Sequence, residues 1–248
     1  MKARKLRLLV AAGLAVAGIA VGILLFSGAW QLNHPSQPVR GVDVSHHQGA
    51  IDWPALAAQD IDFAYVKATE GSGATDEAFE ANWAGARAAG LRVGAYHFFS
   101  YDSPGEAQAA RFIEAVPLED GALPPAIDVE LYGEYDRAPR PPAEVEPQIE
   151  AMVEALRARY GVRPVLYATQ KAYDYYLSGR FQDCDIWIRS VFSAPRLPDK
   201  RAWTLWQYSA RGRLEGYSGR ERFIDMDVFS GTEAEFAAWP AREAETKG

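Results

Sequence analysis

The stretch that decides the fold runs from residue 63 to residue 98. It reads Phe63-Ala64-Tyr65-Val66-Lys67, an amphipathic run Glu77 to Ala89 closed by Gly90, and Arg92-Val93-Gly94-Ala95-Tyr96-His97-Phe98. Two apolar runs of strand length separated by one helical pattern form a strand–helix–strand unit, and such units pair their strands in parallel. Gly90 stands where a helix C-cap is expected, as does Gly161 after the run Ala143 to Tyr160. Outward from this unit the alternation continues. Further strand-like stretches are 41–44, 125–130, 164–167, 186–188, 204–208 and 223–226, which brings the expected strands to eight. Amphipathic runs 54–59, 104–116, 171–177 and 233–239 fall among them. After Leu177 the strands crowd together with little helix between them, so the second half is expected to be irregular, with some antiparallel pairing. No internal repeat or low-complexity tract interrupts the pattern.

Residues 39–248, about 210 in all, suit one α/β barrel near the low end of its usual size. Hydrophobic residues at 48% and charged residues at 24% supply a large core without staples. A formal charge of −7 argues against nucleic acid, whose phosphates require a basic face. Seven Trp and twelve Tyr exceed what a core usually demands, and such rings serve carbohydrate sites as stacking platforms. The single Cys184 excludes an intrachain disulfide and a cysteine metal cluster; Asp183 and Asp185 beside it are expected to raise its pKa.

The N-terminus reads differently. Residues 1–7 carry four positive charges, and Leu8 to Phe26 follow with nineteen residues and no charge. A secretory signal has an apolar stretch of about 7 to 15 residues, whereas about 20 cross a bilayer, so the length favours a membrane helix that stays in place. Ser27-Gly28-Ala29 keeps cleavage after Ala29 open. Residues 1–29 are thus expected to be a membrane anchor or signal peptide and 30–38 a linker. The positive-inside rule sends residue 30 onward across the membrane, to the periplasmic side or beyond.

Candidate chemistry sits on Ala126-Ile127-Asp128-Val129-Glu130. Alternation along a strand points Asp128 and Glu130 to the same side, where mutual repulsion raises one pKa, as a general acid near neutral pH requires. Glu130, nearer the C-terminal end and longer, is the better candidate acid. On its own the pair reads equally well as a solvated strand end or a helix cap. Asp43, between Val42 and Val44, and Asp225, between Ile224 and Met226, repeat the pattern of an isolated carboxylate in an apolar strand. Barrel enzymes gather such groups at the C-terminal ends of their strands.

These segments resemble a known family. Gly41-Val42-Asp43-Val44-Ser45-His46-His47-Gln48-Gly49, Asp52-Trp53, and Val66-Lys67-Ala68-Thr69-Glu70-Gly71 are similar to the opening of the glycoside hydrolase family 25 lysozymes, the Chalaropsis-type N-acetylmuramidases. The likeness continues in order through 94–98, 125–130, 164–167, 206–208 and 225–229. It implies a modified TIM-like (β/α) barrel and hydrolysis of the β-1,4 bond between N-acetylmuramic acid and N-acetylglucosamine in peptidoglycan glycan strands. By motif, Glu130 resembles the general acid, Asp128 its companion, and Asp43 and Asp225 the flanking acids. Tyr96, Tyr167 and Trp206, with Gln207, fall where the family lines its sugar cleft. Lys67 and Glu70 match a Lys-x-x-Glu segment, as ligand contacts or as a supporting ion pair. Two departures stand out: Arg189 replaces the Ala of a Trp-Ile-Ala segment whose following Tyr is absent, and Asp227 stands where Asn is usual.

The substrate's 2-acetamido oxygen is itself able to attack the anomeric carbon. The D-x-E spacing suits that route, with Asp128 orienting the amide, Glu130 acting as acid and then base, and Asp43 with Asp225 stabilising positive charge. No cofactor is implied, and a monomer is expected. Two other readings remain: a silent wall-binding module, and a metal-dependent polysaccharide deacetylase using Asp43, His46 and His47, although adjacent histidines on an extended segment point apart.

Overall fold

Eight strands close into a ring. In the computed structural model they are β1 (Arg40–Val44), β2 (Phe63–Glu70), β4 (Arg92–Phe98), β5 (Ala126–Val129), β6 (Val165–Thr169), β7 (Ile186–Arg189), β8 (Leu205–Gly212) and β9 (Ile224–Phe229), with β3 (Ala74–Thr75) an added antiparallel flap on β2. The order runs β1-β2-β4-β5-β6-β7-β8-β9 and returns to β1. Neighbours from β1 round to β8 are parallel, while β9 is antiparallel to both β8 and β1. The barrel and the irregular second half are therefore as expected; β3 was not anticipated.

The structure describes residues 35–240 together with 14–19 and 22. Residues 14–19 and 22 are helical. The rest of the expected membrane segment 8–26, residues 30–34 of the tether and residues 241–248 lie outside the described residues. Among the described residues no helix is long and apolar enough to cross a membrane.

The helices wrap the ring because their apolar stripes have nowhere else to go. Helix Phe79–Ala88 buries Phe79, Asn82, Trp83 and Ala86, a spacing of three and four that keeps them on one face. Helix Pro142–Tyr160 begins with proline in its first turn, where no amide partner is needed, and ends on Gly161 at φ 70°. The buried layer between strands and helices is the larger core.

A second core fills the barrel itself. Phe63, Tyr65, Ala126, Val165, Tyr167, Trp187, Leu205 and Phe229 meet there, and each fully buried aromatic contributes about 1.5–3 kcal/mol. The crowding explains two glycines: a Cβ on Gly41 would overlap the Phe63 ring, and one on Gly94 the Tyr65 ring. At the N-terminal end, helix Glu233–Ala238 closes the ring with Phe236 and Trp239. Arg92 ties this plug down, donating to the carbonyls of Phe236 and Trp239 and lying over the Phe236 ring. Cys184 is buried, and burial first, Asp183 second, pushes its thiol up to about 12.

Candidate active site

Above Trp187 and Tyr167 the inward-facing residues change from apolar to charged. Asp43 on β1, Lys67 on β2, Tyr96 on β4, Asp128 on β5, Arg189 on β7, Gln207 on β8 and Asp225 on β9 line a cavity of about 360 Å³ with Glu130, which follows β5 directly. It lies at the C-terminal ends of the parallel strands, where chain direction brings every strand-to-helix loop to one rim. A neighbouring cavity of about 410 Å³ shares Asp43, Tyr96 and Asp225 and runs on along Arg211, Glu221 and Phe223. The two make an extended groove suited to a polymer.

Hydrogen bonds knit the acids together. Gln207 Nε2 donates to Asp43 Oδ2 at 2.6 Å, and its Oε1 stands 3.1 Å from the Tyr167 hydroxyl. That hydroxyl is also 3.2 Å from Glu130 Oε1, so its one proton serves either acceptor in turn. The Tyr101 hydroxyl donates to the Glu130 carbonyl at 2.9 Å, and the Phe99 amide to the Asp128 carbonyl at 2.9 Å, which fixes the backbone carrying the pair. Asp128 is buried, and its Oδ1 accepts no hydrogen bond from any described residue. Asp227, wholly buried one layer below, accepts from Trp187 Nε1 at 2.7 Å.

Burial is the chief cause of every proton-affinity shift in this cluster. It raises Asp128 well above the usual carboxylate range, with the Glu130 and Asp43 charges adding to it. Glu130 is raised by burial, against the opposing pull of Arg189 and the Tyr167 hydrogen bond. Asp225 is raised by burial and then by Asp43. Asp43 and Asp227 are both raised well above their usual value, chiefly by burial; the Asp227 charge adds to the rise at Asp43, and the Trp187 hydrogen bond opposes it at Asp227. Such acids tolerate burial by staying protonated.

Most of the residues picked from sequence converge here: Glu130, Asp128, Asp43, Asp225, Tyr96, Tyr167, Gln207 and Lys67 all line the cavity. Two do not. Trp206 is buried on the outer face of β8, donating Nε1 to the Ser190 carbonyl at 2.9 Å. Successive strand residues face opposite sides, so with Gln207 inward its neighbour faces out. Glu70 is exposed and outside the cavity; it pairs with Lys67 at 2.6 Å, which makes it the supporting ion pair. The deacetylase trio is not assembled, because His46 Nδ1 turns to Asp76 Oδ2 at 2.7 Å and leaves only Asp43 and His47 on the cavity wall. Among the described residues no three His, Cys, Asp or Glu side chains are grouped to hold a metal ion. Sequence reading passed over Trp187 and left Arg189 and Asp227 without roles, although their alternate positions on β7 and β9 carried the signal.

The model of the family Glycosyl hydrolases family 25 matches residues 42–217, a span that carries Asp43, Asp128 and Glu130. The chain belongs to glycosyl hydrolase family 25. A family 25 glycosyl hydrolase from Bacillus anthracis superposes with a TM-score of 0.80 at 48% identity, over 84% of this chain and 96% of that one. The bacterial lysozyme from Streptomyces coelicolor gives a TM-score of 0.74 at 31% identity, covering 82% and 97%. Lysozyme M1 of Streptomyces globisporus is 33% identical over 220 residues, 81% of this chain and 70% of its own length. Family 25 membership makes the chain a glycoside hydrolase, and Asp225, which lies past the matched span, joins the family segment through the pairing of β9 with β1.

Proposed function

We propose that this chain is a muramidase that hydrolyses the β-1,4 bond between N-acetylmuramic acid and N-acetylglucosamine in peptidoglycan. The observation that carries the reading is the pair Asp128 and Glu130, both in the groove, both with raised proton affinity, and held by one backbone segment. Two of the related proteins bear the name lysozyme.

Glu130 protonates the leaving oxygen and afterwards takes a proton from water. Its long side chain reaches the groove from the strand end, and burial keeps it protonated where a free carboxyl is ionised. Asp128 orients the 2-acetamido group: its unpartnered Oδ1 is an acceptor that an amide N–H satisfies. The acetamido oxygen then attacks the anomeric carbon as the glycosidic bond breaks. Positive charge developing there falls to Asp43 and Asp225, which stand opposite one another on β1 and β9. Tyr96 and Tyr167 supply ring surface for the sugars.

Incubation with purified sacculi tests the reading. New reducing ends are expected; released acetate alone means a deacetylase, and pelleting without products means a binding module. NMR of the first anomer formed tests the acetamido route, which requires retention, so an inverted first product rules it out.

We place residues 1–29 as a membrane anchor or signal peptide, 30–38 as a tether and 39–248 as the catalytic barrel acting outside the cytoplasm. Lys2, Arg4, Lys5 and Arg7 before an uncharged run support this. An alkaline phosphatase reporter fused after residue 40 should be active, and an inactive one refutes export.

A further inference from the structure

One cavity residue has no part in the chemistry above. Arg189 ends β7 on the inward face, directly above Trp187, and pairs in register with Gln207 on β8 and Thr169 on β6. Its backbone is therefore fixed by a strand on each side. Its guanidinium shares the cavity with four carboxylates, yet makes no hydrogen bond and no ion pair with any described side chain. Lys67, the other strand-borne cation of the cavity, is tied to Glu70. Where the resembling segment carries Ala, this chain thus holds a half-buried cation whose planar fork of donors is free. Such a fork matches a carboxylate with two parallel hydrogen bonds, and a partly desolvated setting strengthens them.

We infer that Arg189 is a specificity-determining residue that receives a carboxylate of the substrate, so that this enzyme prefers glycan carrying a free acid beside the bond it cuts. The inference rests on the muramidase reading and deepens it. Muramic acid offers two sources of that group. One is its own lactyl ether, a free carboxylate wherever the stem peptide has been removed; the other is the stem peptide itself. If the lactyl acid is the group, the substrate must come from a reaction that hydrolyses the amide between lactyl and peptide. Seating an anion on Arg189 also cancels the positive charge that opposes Glu130's hold on its proton, which couples recognition to the acid's readiness.

The rival account makes Arg189 a counter-ion for the acids, acting alike on every substrate. The two separate by experiment on soluble glycan strands in four forms: peptide-free with the lactyl acid free, the same coupled to methylamine, peptide-bearing with stem acids free, and the same coupled to methylamine. Reducing ends give kcat and KM for wild type, Arg189→Ala and Arg189→Lys. Wild type should lose about tenfold or more in kcat/KM, mostly through KM, when the recognised acid is blocked. Sensitivity within the peptide-free pair identifies the lactyl group, and within the peptide-bearing pair the stem. Arg189→Ala should fall by a similar factor on the free acid and lose its sensitivity to blocking, with Arg189→Lys between. A wild type indifferent to blocking in both pairs, or an Arg189→Ala that keeps the wild-type ratio or falls equally on acid and amide, overturns the inference while leaving the muramidase reading standing. No reducing ends from wild type on any form removes that reading and the inference with it.

Discussion

The two ends of the barrel each carry an inward-facing arginine, and they are treated in opposite ways. Arg92, at the N-terminal end of β4, donates to two backbone carbonyls and lies over Phe236, beside a cavity of only about 160 Å³. Arg189, at the C-terminal end of β7, has the same residue type on the same side of a strand and no side-chain bond, in a groove of about 360 Å³ that opens into another of about 410 Å³. A cation whose donors are all spoken for holds the protein together. One left free among acids is available to something else. The same contrast runs through the carboxylates: those at the mouth are kept at the cost of raised proton affinity, while Asp185 towards the bottom accepts from the Thr204 hydroxyl and the Trp239 indole, both at 2.7 Å.

If that division is right, changes at the mouth remove chemistry and spare stability, and changes at the bottom do the reverse. The largest expected effect is Glu130→Gln, which keeps the size and the acceptor for Tyr167 but cannot deliver a proton. Turnover on glycan strands should fall about 10²- to 10⁴-fold with the urea midpoint little changed; substantial residual turnover sinks the acid assignment. Next, Arg92→Ala strips two carbonyls of their donor and should cost about 2–3 kcal/mol of stability by urea unfolding, with specific activity of the folded fraction retained. A loss of activity without loss of stability there would erase the distinction between the two ends.

Legibility in the sequence followed the same line. Local rules reached the eight strands, the helix ends at Gly90 and Gly161, and the common side of Asp128 and Glu130, because period-two alternation and capping act over a few residues. They reached less where a partner is distant. Nothing within Ile224–Phe229 reveals its direction, so antiparallel β9 was expected only as general irregularity. Arg92 finds Phe236 and Trp239 across almost the whole barrel domain, which no local pattern encodes. Trp206 was legible but misread: a motif placed it beside Gln207, whereas alternation assigns adjacent residues to opposite faces. Arg189 was visible as a departure, and its alternation with Trp187 already placed it inward.

Asp227 offers a smaller test of the acid layer. Its folded pKa is raised, so it contributes stability that is full below the ordinary carboxylate range and is lost as pH rises towards the folded value. Asp227→Asn keeps an oxygen for Trp187 and removes a carboxyl whose charge burial disfavours. The variant should be more stable than wild type at pH 7, by about 1 kcal/mol. The gain should shrink as pH falls to about 4. Urea midpoints across that range decide it, and a gain that is constant or grows towards acid contradicts the raised proton affinity of Asp227.

The smallest effect bears most directly on the two arginines. Arg189→Ala breaks no bond, so it should change stability by less than about 1 kcal/mol, well under the cost of Arg92→Ala. Its consequence should instead appear in the pH profile. The Arg189 charge opposes the burial that raises Glu130, so removing it lets Glu130 hold its proton to higher pH. The alkaline limb of kcat/KM, where the acid form of Glu130 is lost, should then move upward on a substrate whose carboxyl is blocked, since no anion on that substrate screens Arg189 in the wild type. A limb that stays in place, or a stability loss as large as that of Arg92→Ala, means that Arg189 is a structural tie like its counterpart at the bottom.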